Sequence, residues 1–150
     1  MRAVVQRVTS ASVTVDGEVV GQCGQGLLLL VAAHKDDTHR EVAKLAEKIG
    51  TLRIFNDSEG KMNLSIADIG GSVLAISNFT VYGDASKQRR PSFMEAAGFD
   101  RGRELFDSFV ERLKSQRLPT ETGVFGAHMD VDIQNDGPVT LIVEVPPKVC

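Results

Sequence analysis

Apolar residues along the chain follow the patterns of short β-strands. Eight segments show alternating or continuous apolar positions: residues 3–8, 11–15, 18–22, 27–33, 52–55, 72–81, 129–133 and 139–145. Asp16-Gly17 is a typical turn between two paired strands, so the second and third segments are expected to form a hairpin. The unbroken run 27–33 predicts a strand that is buried on both faces.

Two capping boxes predict helix starts. Thr38 and Glu41 place a hydroxyl at the N-cap and a carboxylate three residues on, ahead of apolar positions at helical spacing. Gly50 is the expected end of that helix. Residues 92–95 repeat the box and predict a short helix that ends at Gly98.

A longer helix is predicted from Asp100 to about Gln116. Its apolar face is formed by Leu105, Phe106, Phe109, Val110 and Leu113. Because few helices separate the strands, we predict an α+β fold with mostly antiparallel sheets, in a single domain over 1–150.

A Gly-Pro pair interrupts the last predicted strands at Asn135-Asp136-Gly137-Pro138. Proline removes a backbone donor, and glycine reaches conformations that other residues avoid. One interpretation is a hairpin turn, since these residue types favour turns. The other is a rigid backbone probe that is aimed at a ligand.

Composition narrows the possible functions. The chain is 42% hydrophobic and 25% charged, with a net charge of −3, which argues against a protein that coats nucleic acid generally. Cys23 and Cys150 suit a reducing cytosol better than a disulfide framework. The N-terminus has a strand pattern and not that of a signal peptide, and the longest apolar run is too short to span a membrane. We therefore expect a cytoplasmic protein.

Histidine chemistry is poorly supported by the sequence. His34 and His39 lie in a polar stretch and are expected to be exposed surface residues, while His128 lies near the Gly-Pro segment. No zinc-ligand spacing, nucleophile elbow, phosphate loop or dinucleotide motif is present. We predict no metal, no cofactor and no Ser-His-Asp triad.

A polar strand end is the remaining candidate for chemistry. Ser77-Asn78-Phe79-Thr80 follows a buried strand, where backbone N–H groups become free to bind a ligand. The alternative is that its hydroxyls bond locally. Lys87, Arg89 and Arg90 follow shortly after, either as a phosphate-binding cluster or as a solvated loop.

Taken together, these segments make the chain resemble the D-aminoacyl-tRNA deacylase family over essentially its full length. The resemblance rests on residues 1–8, 11–17, 52–55, 60–63, 77–80, 90–93, 121–127 and 135–140. It implies a barrel-like arrangement of the sheets and hydrolysis of the ester in D-aminoacyl-tRNA and in Gly-tRNA. It also implies a cytoplasmic homodimer that proofreads tRNA without a cofactor, with active sites at the subunit interface.

The resemblance also implies how substrates are selected. Gly137 and Pro138, joined by a cis bond, would enter the partner's active site and exclude an L-side chain, with Arg7 holding their backbone. Thr80 and the Phe79 N–H would face the scissile carbonyl, with Ser77 and Asn78 beside them.

Further roles follow from the same resemblance. The tRNA 2′-OH would assist water, since Thr80 has no obvious base and the 2′-OH distinguishes RNA from DNA. Phe125 and Met129 would pack the terminal adenine. Contacts to the acceptor-stem phosphates would come from Lys87, Arg89 and Arg90.

Three residues depart from the family pattern: Asn78 replaces Gln, Gly83 replaces Ala and His128 replaces Asp. The shorter Asn78 amide keeps open a relaxed sister deacylase that acts on some L-aminoacyl-tRNAs. His128 is either a surface substitution or a pH-dependent charge near the adenosine pocket. A non-catalytic nucleic-acid-binding protein is the third possibility.

Overall fold

A curved six-stranded sheet dominates the computed structural model, which describes residues 1–148. The strands are β1 (Arg2–Val15), β2 (Glu18–Cys23), β3 (Gly26–Ala32), β4 (Phe55–Asn56), β5 (Met62–Leu64), β6 (Ser72–Ser77), β7 (Thr120–Thr122) and β8 (Asp130–Glu144). The helices are α1 (His39–Thr51) and α2 (Phe99–Ser115). Strands β4 and β5 form a separate ribbon. Within the described residues, neither helix is long and apolar enough to cross a membrane.

Strand β1 organises the main sheet because both of its edges are paired. One edge pairs with β8 along almost its whole length, while the other pairs with β3 and then with β2. These pairings and β4–β5 are antiparallel, whereas β3–β6 and β6–β7 are parallel. The sheet curls until the Gln22 N–H on β2 donates to Glu121 Oε1 on β7, over 3.2 Å. The predicted α+β, barrel-like fold is therefore confirmed.

Strand β3 separates two apolar cores, as its unbroken hydrophobic run predicts. Leu27, Leu29 and Val31 face α1 and α2, because alternate side chains of a strand point to opposite faces. Leu28 and Leu30 point the other way, into a smaller core inside the curled sheet. Parallel pairing with β6 places Leu28 beside Leu74 in that inner core.

The capping box of α1 is present. Glu41 is buried and its carboxylate accepts the Thr38 N–H and the Thr38 hydroxyl, each at 2.7 Å. Burial acts to raise the pKa of Glu41, but the hydrogen bonds from Thr38 and Arg40 outweigh it and lower the pKa from 4.5 to about 2. Because the folded pKa is depressed, this stabilisation is complete above pH 4.5 and is lost as pH falls towards 2.

Gly50 does not end α1, which continues to Thr51. Instead, the glycine leaves room for the Gln116 side chain, whose Nε2 donates to the Ala46 carbonyl over 2.9 Å. The glycine therefore allows the C-terminal ends of α1 and α2 to approach closely, and it does not end α1.

The predicted short helix over 92–95 is absent. Ser92 pairs with Asp84 through two backbone hydrogen bonds of 2.8 Å, so residues 84 and 92 close a loop. The carboxylate of Glu95 bonds to His34 instead of completing a capping box. Gly98 is the N-cap of α2 and not a stop, and Asp100 lies in the first turn of that helix. The predicted apolar face of α2 is buried.

The C-terminal strands merge into one, β8, and the hairpin interpretation of the Gly-Pro segment is wrong. Val8 pairs with Asn135 and Gln6 with Thr140, so residues 136–139 form a bulge opposite Arg7. The bulge, here called the Gly-Pro loop (residues 136–139), interrupts the ladder without reversing the chain. Cys150 lies outside the described residues.

Candidate active site

A cleft of about 660 Å³ opens where the parallel strands β3 and β6 end. Carboxyl ends of neighbouring parallel strands commonly form ligand sites, because their last backbone groups have no strand partner. Seven of the residues singled out by the sequence line this cleft: Ser77, Asn78, Phe79, Thr80, Phe125, His128 and Met129. The fold thus brings the polar strand end to the segment 125–129.

Asn78 turns the chain out of β6, so the predicted strand 72–81 stops at Ser77. Its N–H still bonds to the Val31 carbonyl of β3 at 2.8 Å. Its side-chain Oδ1 then accepts the Thr80 N–H at 3.2 Å and the Thr80 hydroxyl at 2.5 Å. This cap starts a single 3₁₀ turn, Phe79–Tyr82.

The cap leaves one backbone donor unpaired at a residue that lines the cleft. The Phe79 N–H, first in the 3₁₀ turn, has no hydrogen-bond acceptor within residues 1–148. The Thr80 hydroxyl is held by Asn78 and contacts no histidine of the described chain. The site therefore offers a backbone N–H and a hydroxyl, without an activating base on Thr80.

The opposite wall of the cleft is apolar. The half-buried Phe125 ring lies 5.1 Å from Phe99 and 6.1 Å from Phe106, measured between ring centroids. Met129 packs on the inner core and His128 is exposed between the two. Such a wall suits a flat, uncharged group such as a nucleobase.

Sequence reasoning missed the contribution of α2 to the cleft. Phe99 and Gly102 from its first turns line the wall, and a side chain at Gly102 would contact Phe125. The signal was available in Gly98 and Gly102, because small residues one helical turn apart leave a concave helix face.

His34 was expected to be exposed, and this is wrong. Its side chain is only 12% exposed and its Nε2 lies 2.7 Å from Glu95 Oε2, with the ring against Tyr82. The Asp36 N–H donates to His34 Nδ1 at 3.0 Å, which fixes the proton on Nε2 when the ring is neutral. His39, by contrast, is 53% exposed, as predicted.

The Gly-Pro loop lies outside the cleft of its own chain. Gly137 and Pro138 are exposed, their peptide bond is cis, and neither residue is in the cleft lining. The buried Arg7 guanidinium lies behind the loop: Nε donates to the Asp136 carbonyl at 3.0 Å and Nη1 donates to the Ile54 carbonyl at 2.8 Å.

The basic cluster occupies the tip of the loop between Asp84 and Ser92. Lys87, Arg89 and Arg90 are exposed and form no salt bridge with the described part of the chain. Hydrogen bonds from Ser86 hold the pKa of Asp84 below its usual value, so the carboxylate at this end of the loop stays ionised. Residues 1–148 contain no group of three or more His, Cys, Asp or Glu side chains placed to hold a metal ion.

Comparisons with known proteins agree over almost the whole chain. Residues 4–144 match the family model described as D-Tyr-tRNA(Tyr) deacylase. A D-aminoacyl-tRNA deacylase of Bacillus cytotoxicus is 58% identical over 96% of this chain and 99% of the relative. One of Carboxydothermus hydrogenoformans is 54% identical, with 97% and 100% covered.

Two solved structures share the fold. A protein titled c-Myc DNA Unwinding Element Binding Protein has a TM-score of 0.92 and 40% identity, covering 97% of this chain and 99% of its own. A probable eukaryotic D-amino acid tRNA deacylase has a TM-score of 0.83 with 17% identity, covering 96% and 98%. At that identity the second likeness concerns the fold alone.

Proposed function

The chain belongs to the D-Tyr-tRNA(Tyr) deacylase family, and on that premise we propose how its cleft hydrolyses a D-aminoacyl-tRNA. The activity itself follows from the relatives at 58% and 54% identity: the protein is a D-aminoacyl-tRNA deacylase, a hydrolase. The observation that carries the mechanism is the open Phe79 N–H beside Thr80, in a cleft with an aromatic wall.

The Phe79 N–H stabilises the negative charge that develops on the ester carbonyl oxygen. Water adds to the carbonyl carbon, and the bond from that carbon to the ribose 3′-oxygen breaks. The neighbouring 2′-OH accepts a proton from the water and passes its own proton to the 3′-oxygen, which releases free D-amino acid and tRNA. Thr80 positions the substrate, since its hydroxyl is held by Asn78 and has no base.

The rest of the substrate is placed by the walls around this point. Phe125 and Met129 pack the terminal adenine, and Ser77 closes the floor at the strand end. Lys87, Arg89 and Arg90 contact the acceptor-stem phosphates, a role that suits their exposure and lack of salt-bridge partners among residues 1–148.

Selectivity comes from a second copy of the chain. Gly137 and Pro138 are exposed but lie outside their own cleft, so the cleft they fill belongs to a partner. They leave room at the α-carbon for hydrogen and for a D-side chain but deny it to an L-side chain. Glycine has no side chain to reject, so Gly-tRNA is also a substrate.

A homodimer through β8 is supported by the exposed surface of that strand. Among the described residues β8 is paired along one edge only, with β1. It also exposes Ile142 by 71% and Ile133 and Leu141 by 38% each. An unpaired edge with exposed apolar residues favours association with another chain. A cytoplasmic location remains a prediction.

The direct test is hydrolysis of D-Tyr-tRNA and L-Tyr-tRNA side by side. We expect release of D-tyrosine with the L-ester left intact. Equal hydrolysis of both esters, or of neither, would overturn the proposal, while slow but real hydrolysis of some L-esters would favour the relaxed sister activity. A D-Tyr-ester on a 2′-deoxy terminal adenosine should react at least about tenfold more slowly if the 2′-OH takes part.

Nucleic-acid binding without catalysis is a second candidate, because the 40%-identical structure is titled as a DNA-unwinding-element binding protein. The net charge of −3 counts against it. Tight binding of duplex DNA at physiological salt, together with no deacylation, would favour this alternative.

A further inference from the structure

Asn135 lies where the ladder between β1 and β8 breaks. It is in register with Val8, and the ladder resumes where Thr140 faces Gln6. No residue of β1 is therefore in register with Val139, the last residue of the Gly-Pro loop. An unpaired N–H and C=O at this point would leave the loop free to swing at its base.

The carboxamide of Asn135 takes the place of the missing strand neighbour. Its Oδ1 accepts the Val139 N–H at 2.8 Å, and its Nδ2 donates to the Val139 carbonyl at 3.2 Å. Nδ2 also lies 3.1 Å from Thr140 Oγ1 and 3.4 Å from Gln6 Oε1. One side chain thus satisfies both backbone groups of Val139 and ties them to β1.

The other end of the loop is held independently. Arg7 Nε donates to the Asp136 carbonyl at 3.0 Å and lies 3.4 Å from the Asp136 carboxylate. Between these two anchors only Gly137 and Pro138 are exposed at the tip. The projection of the tip from β8 is therefore set by Asn135 on one side and Arg7 on the other.

We propose that Asn135 is a positioning residue for stereochemical discrimination, which it controls by fixing the base of the Gly-Pro loop. This inference rests on the proposed function. Rejection by a clash depends on the position of the clashing atoms to a fraction of an ångström, whereas hydrolysis at Phe79 does not involve the loop base. Loss of Asn135 should therefore raise L-ester hydrolysis while leaving D-ester hydrolysis largely unchanged.

Only a carboxamide of this length offers both an acceptor and a donor to Val139. Asn135→Ala removes both hydrogen bonds. Asn135→Asp keeps the acceptor for the Val139 N–H but sets a carboxylate against the Val139 carbonyl. Gln134→Ala is the matched control, because Gln134 is the exposed neighbour on β8 and has no side-chain hydrogen bond within residues 1–148.

The experiment measures single-turnover hydrolysis of D-Tyr-tRNA and L-Tyr-tRNA by the full chain, with dimer mass and thermal melting recorded for each variant. We expect Asn135→Ala to raise the L-rate about tenfold, with the D-rate within about threefold. Asn135→Asp should also lower the ratio of D- to L-hydrolysis, and Gln134→Ala should leave this ratio unchanged. If Asn135→Ala does not fold, Asn135→Asp carries the test.

Other results would overturn the inference. An unchanged ratio of D- to L-hydrolysis would do so, whether both rates stay constant or fall together, because Asn135 would then be structural only. Loss of L-rejection that accompanies loss of the dimer would also overturn it. If the unmodified chain hydrolyses both esters equally, the proposed function fails first, and this result is visible before any variant is made.

Discussion

The strand end at Ser77 and the Gly-Pro loop are both places where a β-ladder stops, but they treat their backbone groups in opposite ways. At the strand end, Asn78 caps Thr80 and leaves the Phe79 N–H without an acceptor in the described chain. In the Gly-Pro loop, Arg7 and Asn135 occupy the polar groups on both sides of the tip. The first region leaves a backbone donor unpaired within the described chain, and the second fixes the backbone on both sides of an exposed tip. Chemistry and selectivity are therefore expected to respond to different substitutions.

The largest effect is expected from Gly137→Val. A Cβ at Gly137 would lie 2.8 Å from Val139 Cγ2 and 2.9 Å from the Val139 nitrogen, at a φ of +138°. The tip must move, and in the proposed dimer its added bulk would fill the partner's cleft, so D-Tyr-tRNA turnover should fall at least about hundredfold. Gly24→Val is the control, because a side chain there has nothing within 4 Å. A fall of less than about threefold would mean that the tip does not approach the substrate.

Arg7→Lys should separate selectivity from chemistry. Lysine keeps the charge but cannot donate to the Asp136 and Ile54 carbonyls in the same fixed geometry. We expect the ratio of D- to L-hydrolysis to fall about thirtyfold while the D-rate changes by less than about fivefold. Competition kinetics with both esters would measure this ratio. Arg112→Lys is the control, because Arg112 is exposed and makes no side-chain hydrogen bond or salt bridge within residues 1–148. If both rates fall equally, Arg7 contributes to the general stability of the fold and not to selectivity.

Substituting Lys87, Arg89 and Arg90 together by alanine should affect neither chemistry nor selectivity. We expect KM for D-Tyr-tRNA to rise about tenfold, kcat to stay constant and the salt dependence of kcat/KM to become less steep, since phosphate contacts release counterions. A triple alanine variant at the exposed Lys44, Lys48 and Lys61 controls for net charge. An unchanged salt dependence would indicate that the loop is only solvated.

Thr80→Ala should have the smallest effect on turnover, below about tenfold, because the Thr80 hydroxyl has no base and the Phe79 N–H remains. Thr80→Ser keeps the hydroxyl and should restore the full rate. Single-turnover rates at saturating enzyme would separate an effect on the chemical step from an effect on binding. A loss of about hundredfold or more with intact binding would contradict the backbone-centred mechanism and make Thr80 the nucleophile.

Much of the fold was predictable because local chemistry and tertiary packing agree. The apolar run of β3 predicts burial on both faces, and Leu27 and Leu28 do enter different cores. The capping box at Thr38 and Glu41 also starts α1 as predicted. Where a residue has only a local role, the sequence pattern is enough to predict the structure around it.

Several of the errors occur where a residue has a distant partner. Gly50 has the chemistry of a helix end but makes room for Gln116, and Glu95 completes no capping box because His34 takes its carboxylate. Such long-range partners are invisible in a local pattern. The sequence therefore predicted that residues 77–80, Phe125 and Met129 lie together, but not how each is held or that α2 lines the same cleft. Asn135 is a local exception, because its turn chemistry serves Val139, four residues on, in place of a strand neighbour.

The pairing of strand β1 on both edges has a consequence for amide hydrogen exchange. Both of its edges are hydrogen-bonded and most of its inward side chains are buried, so its amide hydrogens should exchange with solvent only through global unfolding. Val5 lies in the part of this strand that is paired on both edges, with Leu29 and Leu141. Deuterium uptake should therefore be fast at Gly137 and nearly absent at Val5.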